Sequence, residues 1–351
     1  EKPNIYSFAT TILVLQSSSL FIYNGQQFLV LKPTDVPPAT VASLEENLFI
    51  IDKNGQVTMV KIQDNDRDIT QKSIQANATI RKISKYGDVF VALSRSENNI
   101  DSISVFSFNN EQMQTFDFDE NIELLSLYVV PQSTQFMVGC KRTMKNAKNE
   151  SHIDYYIDVM KFNSRFELIS LQKIQCGGAP KVFGYFNGSI LVGINRHIYH
   201  MISQGDGPEP KWHLNLNVAL SSLPTGCSFL EICDDVVWIV DTTQSFFCFI
   251  RKQNPNDGRY SLHPVATDTK PKQLTAICVL NRAMVATGDK FGTIEILRLP
   301  DDVVCDRKWR MIQPPDRDIY MPKTCILISL ASFNIGEAVT SIFRNGRNNT
   351  L

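Results

Sequence analysis

The sequence predicts an all-β fold: a seven-bladed β-propeller of four-stranded antiparallel blades, closed by pairing of the N- and C-terminal strands. Three observations predict it. Runs of β-branched and aromatic residues recur in pairs around polar turns, the pairs repeat at a near-constant spacing, and helical periodicity is missing from them.

Taken in order, the first pair is "TTILVLQSSSLFIYNG", with its turn near Ser18. Next come "SLEENLFIIDKNGQVTMVKI" (43–62) and "KYGDVFVALSRSENNIDSISVFSF" (85–108). Then follow "YFNGSILVGINRHIYHM" (185–201), "ICDDVVWIVDTTQSFFCFI" (232–250) and "VLNRAMVATGDKFGTIEILRL" (279–299). The later turns centre near Gly55, Asn99, Arg196, Thr243 and Gly292, at steps of about 44, 97, 47 and 49 residues. The long step is twice the others, so a further copy belongs near residue 147. It is "STQFMVGCKRTMKNAKNESHIDYYIDVMKF", with apolar runs at 136–140 and 154–162 around a basic insertion. One four-stranded sheet cannot bury both of its faces, whereas sheets stacked radially cover one another and leave only short edges. The tail "ASFNIGEAVTSIFR" is an extra strand without a partner hairpin, and residues 337–344 are expected to pair into the first blade.

Composition bounds the function. A chain of 351 residues with 43% hydrophobic content supports a large core, read here as a single propeller domain over 1–351 that is a fragment of a longer multi-propeller protein. Net charge −1 gives no general attraction to nucleic acid or anionic lipid, so any RNA contact would be local. The eight cysteines are scattered and several sit in apolar runs, as in Phe246-Phe247-Cys248-Phe249, without CxxC or Cys/His spacing. They read as reduced thiols of a cytosolic or nuclear protein, with no metal and no cofactor expected. No apolar run reaches the roughly 18 residues of a membrane helix, and the start lacks a basic leader.

Candidate sites are few, and no catalytic residue is expected. His197 and His200 are three apart on a strand, where alternation sends them to opposite faces and argues against a shared metal. Asp234-Asp235 reads as a turn rather than paired carboxylates for acid–base work. Asp289 and Lys290 sit in a Gly/Asp turn that mainly serves its own hairpin. Two stretches are candidate partner-contact loops: a basic insertion over 141–152, with Lys141, Arg142, Lys145 and Lys148, and a proline-rich rim loop over 313–325, with Tyr320 and Met321. Among propellers, the WD class is not indicated, because none of Trp212, Trp238 and Trp309 precedes Asp.

The segment Asp289-Lys290-Phe291-Gly292 followed by Arg298-Leu299-Pro300 resembles a motif of one multi-propeller family. That family includes the large propeller subunit of splicing factor 3b, the damaged-DNA-binding ubiquitin ligase adaptor and the largest cleavage and polyadenylation specificity subunit. "FNIGEAVTSI", with Gly336 and Glu337, is similar to the family segment that opens the closing blade, although Asn334 stands where the family usually has His. "GYFNGSILVGINRHIYHM" and "VVWIVDTTQSFFCFIRK" are similar to further family strands, and the resemblance runs from about residue 178 to 344 and extends back to about 120. It implies a nuclear, non-enzymatic scaffold of the splicing factor 3b complex in the U2 small nuclear ribonucleoprotein. Such a scaffold acts in pre-mRNA splicing and holds a HEAT-repeat protein and small subunits. Alternatives are an adaptor of a cullin ubiquitin ligase or of the polyadenylation machinery, or, from another class, a propeller enzyme with a site in its central channel.

Overall fold

Side chains are described in the computed structural model from residue 78 to 342, apart from 108–113, 146–149, 187, 206–208, 218, 244–245, 252–260, 269, 302, 304–325, 337 and 340–341. The backbone is also described for the strands between Thr11 and Ile74, for 343–345 and for strand ends beside those gaps.

The second strand of each blade carries the logic of the fold. Val236–Asp241, reading VVWIVD, is buried at every position, as is Ser189–Ile194. A strand covered on both faces has no reason to alternate apolar with polar, and these do not. Its two faces instead feed two different cores. Val236, Trp238 and Val240 pack with Val285 and Leu297 of the following blade, whereas Val237 and Ile239 pack with Leu191 and Ile198 of the preceding one. Trp238 is 0% exposed, and truncating such a side chain to Ala costs about 3–5 kcal/mol.

Four blades are simple four-stranded antiparallel sheets. One comprises Thr79–Tyr86, Val89–Arg95, Asp101–Ser107 and Gln112–Asp117; the next comprises Ile122–Val129, Phe136–Lys145, Ser151–Phe162 and Leu168–Cys176. The third runs through Cys227–Cys233, Val236–Asp241, Ser245–Gln253 and Tyr260–Thr267, and the fourth through Leu274–Asn281, Met284–Asp289, Thr293–Arg298 and Ile328–Asn334. Between the second and third lies Pro180–Phe186, Ser189–Ile194, His197–Gln204 and Lys211–Leu214, with Ser221–Ser222 as a fifth strand.

These observations correct the expectation of a seven-bladed propeller of four-stranded blades. Packed blades with described side chains number five, joined by the interleaved cores. One of them has an extra strand because Lys211–Leu214 reaches only Met201–Gln204, and Ser221–Ser222 pairs with the uncovered His197 and Ile198. The chain's first strands are described by backbone pairing alone: Pro38–Leu44, Asn47–Asp52, Val57–Ile62 and Ile69–Ile74 form one sheet. Thr11–Gln16, Ser19–Tyr23 and Phe28–Leu31 form another, together with Ser341–Asn345. Leu13 stands opposite Phe343, so the tail strand pairs with the head of the chain as expected. The hairpins read from the sequence are the second and third strands of their sheets, and the one near Ser18 joins Thr11–Gln16 to Ser19–Tyr23. A second correction is a single helical turn, Asp301–Val304, where no helix was expected.

First strands touch one another around the axis, and most share a defect. Their registers slip by one residue at Ala39, Arg81, Leu125, Lys181, Ser228 and Thr275. A bulge at the same place in successive sheets adds local twist where the strands converge.

Candidate partner-contact site

The turn between Met284–Asp289 and Thr293–Arg298 is built by one carboxylate. Asp289 Oδ1 accepts hydrogen bonds from the backbone N–H of Phe291 (2.9 Å) and of Thr293 (2.8 Å), an Asx turn that holds Gly292 at φ 89. Only glycine takes that left-handed conformation without strain. The backbone of the same turn then receives the distant "FNIG" segment. Ile335 N–H donates to the Gly292 carbonyl (2.9 Å), and Val339 N–H donates to the Asp289 carbonyl (3.0 Å). Asn334 Oδ1 accepts from Gly336 N–H at 2.8 Å, so the residue that departs from the family's His caps its own turn, with Gly336 at φ 79.

The rest of the motif is structural as well. Leu299 is buried, and its N–H reaches the Ala283 carbonyl at 2.8 Å; Arg298 pairs with Asp301 at 3.0 Å, and the Pro300 carbonyl accepts Val303 N–H at 2.9 Å. What remains for contact is the tip: Phe291 is 64% exposed, and Lys290 Nζ lies 4.9 Å from its ring centroid. Aromatic rings and cations of this kind, exposed on stiff loops, are residue types that interfaces favour. Glu337 lies outside the described residues.

An equivalent carboxylate serves the preceding blade. Asp241 accepts from Thr225 N–H (2.8 Å), Gly226 N–H (3.1 Å) and Thr243 N–H (3.0 Å), and from the Thr225 hydroxyl. Burial opposes its ionisation, but these hydrogen bonds outweigh burial and hold its pKa below the usual carboxylate value.

The basic insertion is not the loop expected over 141–152. Strand Phe136–Lys145 runs through Lys141, Arg142 and Lys145 and pairs with Ser151–Phe162, Lys145 facing Ser151, because the ladder continues past the point where other blades turn. Its positive charge is also partly answered: Lys141 pairs with Glu123 and Arg142 with Asp154, both at 2.9 Å. Lys145 is exposed, and Lys148, Tyr320 and Met321 lie outside the described residues with the proline-rich segment.

His197 and His200 do not converge on a common ligand site. His197 Nδ1 lies 2.6 Å from the Ser222 hydroxyl, and burial, aided by the Arg251 charge, draws the His200 pKa down to about 4. Asp234 has φ 56, in keeping with a turn, while Asp235 bridges to the next blade through Arg282 at 2.7 and 3.0 Å. That bridge was not foreseen, because its partner is distant in the chain. Among the described residues no group of three His, Cys, Asp or Glu side chains is arranged to hold a metal, and no helix is long and apolar enough to cross a membrane.

Comparison with known proteins adds to this geometry. Residues 101–349 match the family model described as the CPSF A subunit region. The chain is 28% identical over 178 residues to splicing factor 3B subunit 3 of Danio rerio, covering 49% of this chain and 14% of that protein. It is 23% identical over 249 residues to pre-mRNA-splicing factor RSE1 of Candida albicans, covering 68% of this chain and 19% of that protein. With pre-mRNA-splicing factor RSE1 of Debaryomyces hansenii it shares 22% identity over 307 residues, 80% of this chain and 23% of that one. The matched region thus spans about a fifth of the length of these relatives.

Proposed function

Because the chain belongs to the CPSF A subunit region family, we propose that it works as a non-enzymatic interaction scaffold in pre-mRNA splicing. Within that reading it is a nuclear component of the splicing factor 3b complex of the U2 small nuclear ribonucleoprotein. Its partners are protein subunits, a HEAT-repeat protein and small subunits among them. RNA contact is at most local, and no small-molecule substrate is turned over. The observation that carries the reading is the splicing-factor name on each of the relatives quoted above, together with the family match over 101–349, which includes the Asp289 turn. The geometry supports it: the motif spends its hydrogen bonds on holding a rim turn and leaves Phe291 and Lys290 exposed at the tip.

A second reading, an adaptor of the polyadenylation or ubiquitin-ligase branch, draws on the family description itself, which names the CPSF A subunit. Affinity purification from the host, with mass spectrometry of what co-elutes, separates the two. Co-purification of a HEAT-repeat splicing subunit is the expected result; recovery of polyadenylation subunits or a cullin instead would overturn the splicing reading. In the same assay Phe291→Asp is expected to reduce recovery of direct partners about tenfold if the tip is a contact.

A further inference from the structure

The outermost strand of a blade offers a row of backbone groups to any extended chain that can pair with it, and proteins blunt such edges with charge, proline or shortness. Four of the blades with described side chains do so. Gln112–Asp117 ends in the exposed Asp117, and Leu168–Cys176 carries the exposed Lys173. Lys211–Leu214 is only 4 residues long and begins with the exposed Lys211. Tyr260–Thr267 contains Pro264, which has no N–H to offer. The fifth is different. Ile328–Asn334 closes its sheet on the outside, next to Thr293–Arg298, and the run 326–334, reading ILISLASFN, has neither charge nor proline. Ile326, Ile328 and Leu330 are 44, 40 and 45% exposed. Register explains the last of these: Ile296 stands opposite Ala331 and Leu297 opposite Ser329, so Leu330 is the extra residue of a bulge. A bulge is itself a mild edge defence, but this one exposes leucine in place of a charge.

Both ends of this strand are anchored. Leu327 N–H donates to the Thr267 carbonyl of the preceding blade at 3.1 Å, and Ile335 N–H donates to the Gly292 carbonyl at 2.9 Å. Asn334 stands opposite Thr293, so a chain laid antiparallel along the strand begins beside the Asp289 turn. Lys290 on that turn is exposed and has no acidic partner within 4.0 Å among the described residues. Charge complementarity therefore selects an occupant that is apolar and neutral along the strand and acidic at its N-terminal end. A second copy of this chain has no acidic group on the equivalent edge to meet Lys290. Its contact would also be small: the 7 residues of Ile328–Asn334 make an edge about 24 Å long and about 10 Å deep, roughly 240 Å² per partner, against about 800 Å² per partner in a stable complex.

We infer that Ile328–Asn334 is a strand-addition site for an extended segment of a partner protein, apolar and uncharged along the strand and acidic where it meets Lys290. The site does not depend on the splicing reading, because its test needs no splicing subunit and can fail while the co-purification result stands. Fluorescence anisotropy of the 351-residue chain with a labelled, N-acetylated peptide of two glutamates followed by valine–threonine repeats tests it. Saturable binding is expected with Kd below about 500 μM, together with amide-exchange protection gained at 328–332. Leu330→Lys and Lys290→Glu are each expected to weaken binding about tenfold and, both positions being exposed, to leave the melting temperature near that of the parent. The same peptide with alternate amides N-methylated is expected to bind about tenfold less well or worse, because main-chain pairing supplies the affinity. Absence of saturable binding, affinity indifferent to either substitution or to N-methylation, or a sedimenting dimer of the chain that Leu330→Lys dissolves would overturn the inference.

Discussion

Several carboxylates in this chain organise backbone, Asp101, Asp241 and Asp289 among them. Asp289 illustrates the case: two N–H groups of its own turn depend on one oxygen, and the carbonyl of the same residue anchors Val339. Asp289→Ala orphans both donors and is expected to cost about 1–3 kcal/mol, read as a lower midpoint in urea unfolding. His200 gives a pH signature of defined sign. Its pKa is about 4 in the folded chain against 6.5 for an unperturbed histidine, so the unfolded state binds the proton first. Stability from this group is therefore complete above about pH 6.5 and is lost as pH falls toward about 4. Discounted for partial exposure, the loss amounts to about 1 kcal/mol. His200→Gln should flatten that part of the profile relative to the parent, as thermal melts from pH 7 to 4 would register.

Blades meet through close approaches that demand small residues at set places on the second strand. A Cβ added at Gly139 would stand 2.3 Å from the Pro180 carbonyl oxygen of the next blade, and one at Gly288 would stand 2.4 Å from Val339 Cγ1. Backbone cannot move aside as a side-chain tip can, so Gly139→Ala is expected to destabilise by about 2–3 kcal/mol. Gly177→Ala, with nothing within 4 Å and no left-handed φ, should leave the melting temperature near that of the parent. The extended ladder of Phe136–Lys145 and Ser151–Phe162 shows why a basic stretch reads as a loop in the sequence. Its residues are polar because they project beyond the packed core, and extended backbone in that position loses the apolar signal by which strands are recognised. First strands were hard to read for a related reason: Thr79–Tyr86 mixes buried, half-buried and exposed positions, since one of its edges faces the channel.

At the scale of the whole molecule, stability rests on neighbours in a circle rather than on one central core. Among the described residues, five hydrophobic clusters alternate with the blades, and Val339 and Ile342 carry the last of them into the tail strand. Deleting residues 341–351 removes the strand that pairs with Thr11–Gln16 along five residue pairs. The truncated chain is expected to melt about 5 °C or more below the parent and to lose amide-exchange protection at 11–16 first. Retained protection there would show that the ends are held by something other than this pairing.

Strand pairs, their turns and their near-even spacing could be read from the sequence because each is a property of contiguous residues: side-chain period, turn chemistry and length. The likeness of "DKFG" and "FNIG" to one family was legible for the same reason. Packing was not legible. Hairpin counting predicted seven four-stranded blades, but the extra Ser221–Ser222 strand and the division of side chains between two cores depend on which edges and faces remain uncovered after folding. Tertiary structure alone placed Ile335 on the Gly292 turn and Asp235 on Arg282. Each of these joins residues far apart in the chain, and closing a ring is the physical act that brings them within reach.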